Sequence, residues 1–190
     1  MYPILNLNNN QEQIILGSLL GDGSIHYYIP KNYYRFQEAH DINQENYLLW
    51  KNNNLGFKLN YYFQENKKRI SISKSNRIFK SYKNLFYLNN KKIITKEILD
   101  KLEPLGIAVW FMDDGNFNYN SNNLRLATHC FGFKGNKIIQ QWFKERWNID
   151  CKLIKIKSYI SNLNDRIIKS KNIMYYLLFN SQNTKKFIEL

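Results

Sequence analysis

Cysteine is nearly absent from this chain. Cys130 and Cys151 are the only two, and three histidines complete the soft-ligand inventory. No spacing among them suits a zinc site, and two isolated thiols exclude a disulfide framework, so the chain reads as one kept in a reducing compartment. Long apolar runs are also missing: none approaches the length needed to cross a bilayer, and no membrane partner is expected. The first residues, Met1-Tyr2-Pro3-Ile4-Leu5-Asn6, lack the basic start and long apolar core of a signal peptide. Proline is scarce, and no Pro/Gly/Ser linker separates one part of the chain from another. Acidic residues are few: 15 against 28 Lys and Arg give a net charge of +13 and a pI near 9.6. Such an excess favours a polyanion partner, most simply a nucleic acid. The basic residues are interleaved with Tyr, Ile and Asn rather than gathered in a tail, as expected of a folded binding surface.

What is present is a duplication. Two apolar helical segments each run into Asp and then Gly: Ile14 to Gly21 before Asp22-Gly23, and Leu105 to Asp113 before Asp114-Gly115. A carboxylate at a helix C-terminus opposes the helix dipole, and the following Gly is the usual left-handed stop. The same local violation twice suggests a paired site that needs a cation, since local rules are broken where function demands it. From each Asp-Gly the pattern runs in parallel. Strands are expected at 24–29 and 33–40, a helix over 44–51 closing near Gly56, strands at 59–65 and 69–74, and a helix over 75–87. The second copy places strands at 116–120 and 123–129, a helix from Lys137, strands at 151–159 and 166–179, and a helix from Ser181. Pro104 marks the boundary, which gives halves of 1–103 and 104–190. Each half is an α-β-β-α-β-β-α unit with an antiparallel four-stranded sheet, so the fold class is α+β. Gly17 and Gly21 on the first helix, with Ala108 and Val109 on the second, allow the two helices to pack side by side, which brings Asp22 and Asp114 out at one end.

The strands alternate. Polar Ser24, His26, Arg35 and Gln37 interleave with apolar neighbours, as do Arg69, Ser71 and Ser73 with Ile70 and Ile72. Asn116, Asn118 and Arg125 follow the same rule in the second copy, with Lys155 and Lys157 set against Ile154 and Ile156. Taking the apolar residues as inward, these polar ones form one wet face of each sheet. They are the residue types that contact phosphates and base edges.

These residues resemble the LAGLIDADG homing endonucleases, in the branch that carries two motifs in one chain. Gly17, Gly21, Asp22 and Gly23 match the first motif, and Ala108, Asp114 and Gly115 the second. The resemblance spans nearly the whole chain. It implies a monomer in which two sheets saddle double-stranded DNA, and Asp22 and Asp114 bind divalent metal. It also implies that both strands are cut across the minor groove to leave short 3′ overhangs. Oxygen-only ligands suit Mg²⁺ on physical grounds as well, with Mn²⁺ or Ca²⁺ able to substitute for binding. Within Asn89-Asn90-Lys91-Lys92-Ile93, Lys92 matches the family's lysine near the scissile phosphate, and Gln37 resembles the polar residue that orders active-site water.

One departure stands out. The second lysine, counted from Ser181 as Lys92 is from Ser75, falls past Leu190, and Lys185 and Lys186 are early stand-ins. That raises the expectation of a nick favouring one strand and of a fraying final helix. The competing readings are an intron maturase that binds its own intron RNA, and a cleavage-inactive DNA-binding module. Family habit places such a protein in an organelle, the mitochondrion first.

Overall fold

A computed structural model describes residues 6–190 apart from 30–32, 58, 65–67, 157–159, 164–165 and 170–172. It contains two compact units, Met1–Lys91 with Lys101–Asp113, and Lys92–Asp100 with Asp114–Leu190. The division is interleaved where a single break at Pro104 was expected. The reason is local: the Gln13 side chain donates to the Lys101 carbonyl and accepts from the Glu103 backbone N–H, which ties 101–113 to the first unit.

In the first unit, α1 (Asn9–Leu20) starts with a capping box, Asn8 and Gln11 each satisfying the other's backbone N–H. Every residue from Gln13 to Leu20 is buried, so this helix is enclosed on all sides. Strands β1 (Ser24–Tyr28) and β2 (Tyr33–Asp41) follow, then α2 (Glu45–Leu55), β3 (Leu59–Gln64), β4 (Lys68–Ser73) and α3 (Ile78–Phe86). Gly56 ends α2 in the left-handed conformation, with φ at 68°. Short strands β5 (Tyr87–Leu88) and β6 (Lys91–Lys92) and helix α4 (Lys96–Asp100) lead to α5 (Pro104–Asp114). The four-stranded sheet has the order β1-β2-β4-β3, antiparallel throughout.

The packing of α1 against α5 explains the glycines. A Cβ on Gly17 would collide with the Gly106 carbonyl and stand 2.8 Å from Val109 Cβ; a Cβ on Gly21 would strike Asp113. Ala108, expected in this contact, is exposed, and Gly106 takes its place. We expect Gly17→Ala to destabilise the chain by about 1–3 kcal/mol, because the obstruction is backbone and cannot rotate away. Urea unfolding checks this, and an unchanged midpoint would contradict the close approach.

The second unit repeats the topology. After α5 come β7 (Gly115–Asn118), β8 (Asn123–Leu126), α6 (Gly132–Trp147) and β9 (Lys152–Ile156). A separate hairpin, β10 (Ile160–Leu163) with β11 (Arg166–Lys169), precedes β12 (Met174–Phe179) and α7 (Ser181–Ile188). The sheet order is β7-β8-β12-β9, the counterpart of the first. The expected strand 166–179 is thus two strands, with 170–172 outside the described residues. The final helix is well anchored. Asn180 caps it, Phe187 packs on Phe143 and Phe179, and the Thr184 hydroxyl accepts from the Leu124 N–H. Lys186 is committed to the Asn148 carbonyl.

Candidate active site and nucleic-acid interface

Strand register sorts the expected interface residues. In an antiparallel sheet, directly paired residues share a face. Ser24 pairs with Gln37 and His26 with Arg35, while Ile25 and Phe36 pair on the buried side. Ser24, His26, Arg35 and Gln37 therefore share the open face. The Arg35 guanidinium lies 4.9 Å from the centre of the Tyr28 ring, and its Nε has no hydrogen-bond partner. Burial holds the pKa of His26 below its usual value, helped by the charges of Arg35 and Lys83. It is thus a neutral hydrogen-bonding group on this face at neutral pH, rather than a cation. The second unit places Asn116, Asn118 and Arg125 on its open face, with the Arg125 guanidinium 5.5 Å from the Tyr176 ring centre.

Four assignments change. Ser71 pairs with Glu38 and Arg69 with His40, both on the helix side of the sheet. Ser71 donates to Asn52, Ser73 accepts from the Phe36 N–H, and Arg69 reaches Glu45. It is Ile70 and Ile72 that share a face with Gln37. The alternation was right and its sense was inverted, because the helix side of this sheet is polar. The same inversion recurs in β9: Lys155 pairs with Tyr175 on the Leu177 face, whereas Lys152 and Ile154 share the face of Arg125. Lys157 lies outside the described residues.

Asp22 sits two residues past the end of α1, and its side chain is 39% exposed. Gly23 is not a left-handed stop. The positive-φ glycines are Gly56 and Gly132, and Gly23 is needed for space: its N–H meets the Ser18 carbonyl at 2.6 Å, and a Cβ there would lie 2.9 Å from the Phe36 ring. Asp22 is joined by His40 and Asp113, which the motif resemblance does not single out. The ligand atoms of Asp22, His40 and Asp113 all lie within 4.8 Å of one another. The Asp113 carboxylate accepts from the Asp22 backbone N–H at 3.2 Å, from the Tyr47 hydroxyl at 2.9 Å and from Lys51 at 3.1 Å.

Lys51 is fully buried and bonds Glu38 as well, at the centre of a closed polar cluster. Burial works against an ionised Glu38, but its polar neighbours, the bonded Lys51 ammonium among them, outweigh it and hold its carboxyl below the ordinary range. Asp113 shifts the other way. Burial raises it, the negative Glu38 adds to that, and Lys51 opposes only in part. The sequence did carry a signal for this cluster. Glu38 and His40 continue the parity of buried Phe36, and Lys51 falls between Leu48 and Leu55 on the apolar stripe of α2.

In the second unit, Asp114 ends α5, and its carbonyl accepts from the Ala127 N–H. Lys92 and Asp114 fall in the same unit.

A duplicated α+β chain with a polar, cationic open face on each sheet and a carboxylate at the end of a core helix in each unit has the makeup of a protein that acts on nucleic-acid phosphates. The model of the LAGLIDADG DNA endonuclease family matches residues 12–187, and the chain belongs to that family.

Among curated relatives, "Protein RecA" of Mycobacterium shimoidei is 33% identical over 129 residues, covering 64% of this chain and 30% of that protein. "DNA endonuclease I-ChuI" of Chlamydomonas applanata is 24% identical, covering 80% of this chain and 79% of the relative. "Cytochrome b mRNA maturase bI2" of Saccharomyces cerevisiae is 29% identical, covering 78% of this chain and 39% of that protein. The chain thus spans 18–30% of the length of the RecA relatives it matches. The homing endonuclease I-WcaI, solved bound to its DNA recognition sequence, superposes with a TM-score of 0.74 at 18% identity, over 97% of this chain and 81% of that one. I-DmoI in complex with DNA and Ca gives 0.56 at 14% identity, over 95% of this chain and 88% of that one. These likenesses establish the expected α+β fold.

Proposed function

We propose that this chain is a site-specific, divalent-metal-dependent endonuclease of double-stranded DNA that acts as a monomer, cuts across the minor groove and leaves short 3′ overhangs. The observation that carries this reading is one carboxylate at the end of a core helix in each of two units, both of which also present an open cationic sheet face. The donor set fits a divalent cation. Asp22 is partly exposed, is held by its backbone N–H and stands beside the orphaned buried Nδ1 of His40. Asp22 in the first unit and Asp114 in the second would each ligate divalent metal, with Mg²⁺ the natural choice for carboxylate oxygens. When bound, such a cation lowers the pKa of water and stabilises charge on the phosphate and leaving oxygen.

The chain's own residues supply the rest. Arg35, Arg125 and Lys152 neutralise phosphates, and Gln37, Asn116 and Asn118 meet base edges or ordered water. Lys92, in the same unit as Asp114, opposes charge developing on the scissile phosphate. Each unit serves one strand. Residence in an organelle, most simply the mitochondrion, goes with this reading.

Two outcomes separate interface from core. Arg35→Ala should weaken duplex binding and reduce the slope of log affinity against log salt by about 1. Ser71→Ala should leave that slope unchanged and cost stability of roughly 1 kcal/mol through the lost Asn52 bond. A salt slope insensitive to Arg35 would contradict the open face as the DNA surface.

The maturase reading is favoured by the 29% identity to the yeast cytochrome b mRNA maturase. Incubating the full chain with a randomised duplex library, in Mg²⁺ and in EDTA, tests the proposal. Recovery of one target cut only in Mg²⁺ supports it. Tight binding to structured RNA with no DNA cleavage would replace it with the maturase reading.

A further inference from the structure

The two units solve the same packing problem differently. Ser24 and Asn116 each lie two residues past their Asp and pair with Gln37 and Arg125 respectively. Counting on from those partners, Glu38 corresponds to Leu126 and His40 to Thr128. On the covering helices, buried Leu48, Lys51 and Leu55 repeat the spacing of buried Asn136, Ile139 and Phe143. Where the first unit buries Glu38, His40 and Lys51, the second therefore buries Leu126, Thr128 and Ile139, each fully enclosed or nearly so. Asp113 likewise stands at the motif position that Gly21 holds in the first copy. The fold does not need a buried ionic cluster at this place, since its own duplicate is built without one. Buried ion pairs are at best weakly stabilising compared with packed apolar residues. The cluster in the first unit calls for another reason.

Its geometry converges on Asp22. Asp113 accepts the Asp22 backbone N–H. Lys51 Nζ lies 3.0 Å from His40 Nε2, whereas Glu38 Oε2 is 3.6 Å from that nitrogen. An ammonium can only donate, so Nε2 accepts and the ring proton sits on Nδ1. Nδ1 is buried, makes no hydrogen bond and faces Asp22 Oδ2 at 3.5 Å. A histidine in this tautomer cannot offer Nδ1 to a metal; it offers a proton to the carboxylate that does.

We infer that His40 is a positioning residue for the metal-binding carboxylate of Asp22. Its Nδ1–H engages Oδ2 and leaves Oδ1 for the cation; Lys51 sets the tautomer, and Asp113 pins the backbone. The inference rests on Asp22 being a metal ligand, as proposed above. It further requires the two acids to be unequal, because Thr128 in the second unit offers no such ring.

The test is Mn²⁺ titration of the full chain, followed by the paramagnetic resonance of free Mn²⁺, with strand-resolved cleavage alongside. His40→Ala should weaken one class of Mn²⁺ site about tenfold and leave the other unchanged, the size typical of lost outer-shell support. It should slow one DNA strand only. His40→Asn, whose amide can donate from near the Nδ1 position, should restore most of the affinity, and His40→Gln, which mimics Nε2, should not.

The exchange Glu38→Leu with His40→Thr and Lys51→Ile copies the second unit. Asp113 still loses its Lys51 counter-ion in it, so it should lower the thermal midpoint, though by less than Lys51→Met, while losing the same affinity as His40→Ala, which separates positioning from folding. Equal Mn²⁺ affinity in wild type and His40→Ala overturns the inference if Asp22→Asn still weakens binding. Unchanged binding in Asp22→Asn overturns the underlying assignment of Asp22 instead. A tenfold loss in His40→Asn equal to that in His40→Ala, with a changed preference between Mg²⁺ and Co²⁺, would make His40 a direct ligand and also overturn it.

Discussion

Asp22→Asn and Asp114→Asn should each reduce metal-dependent cleavage by on the order of 10³-fold, while duplex affinity in Ca²⁺ or without metal stays within a few-fold of wild type. An amide keeps the size of the side chain and one carbonyl oxygen but loses the charge that recruits a divalent cation. The affinity arises elsewhere, from cations such as Arg35 and Arg125 on the open faces. The two variants should also differ from each other. Asp22 is braced by the Asp113 carboxylate, and Asp114 shares its unit with Lys92. If each acid serves one strand, each variant should still nick the strand served by the other. Gel-shift affinity and strand-specific end-labelling read both quantities. Parallel loss of binding and cleavage would show that the substitutions had damaged the fold or the interface, and would remove the case for these two residues as metal ligands.

Lys51→Met should cost about 3–5 kcal/mol, which for a chain of this size lowers the thermal midpoint by roughly 6–20 °C. The ammonium is enclosed and answers two carboxylates, Glu38 and Asp113, both with buried side chains. Removing it leaves two negative charges without their shared counter-ion. The Tyr47 hydroxyl donates to Asp113 but carries no positive charge, so it cannot take the place of the ammonium. Much of the loss should return in Lys51→Met with Glu38→Leu, because an apolar pair can replace an ionic one, as Leu126 and Ile139 do in the second unit. A double variant no more stable than the single would show that the destabilisation is a packing defect rather than stranded charge. Circular dichroism melts of the three proteins decide between these.

The duplication was open to reading because its signals are local. Asn8 and Gln11 announce α1, Gly56 closes α2, and two Asp-Gly steps stand at matching places. The open face was legible on β1, β2, β7 and β8 for the same reason, polar and apolar residues alternating in the ordinary sense. It failed on β4 and β9 because inward and outward are tertiary facts. Ile70 and Ile72 look like core, yet the partner strand turns Ser71 towards Glu38. Alternation supplies the period of a strand and leaves its phase to the neighbours. The Lys51 cluster was hidden by the converse error: a Lys, a Glu and a His are expected in water, so their place on buried stripes went unread. Asp113 was overshadowed by Asp114 beside it, though it is Asp113 that lies in the first unit with Asp22.

The most direct measurement is a map of the ends produced on both strands of a selected duplex target, in Mg²⁺ and in EDTA, by the wild-type chain. The account predicts a pair of cuts offset across one minor groove, present only with metal, with one strand cut faster than the other. Cutting that persists in EDTA, or intact DNA in Mg²⁺ despite tight duplex binding, would contradict it.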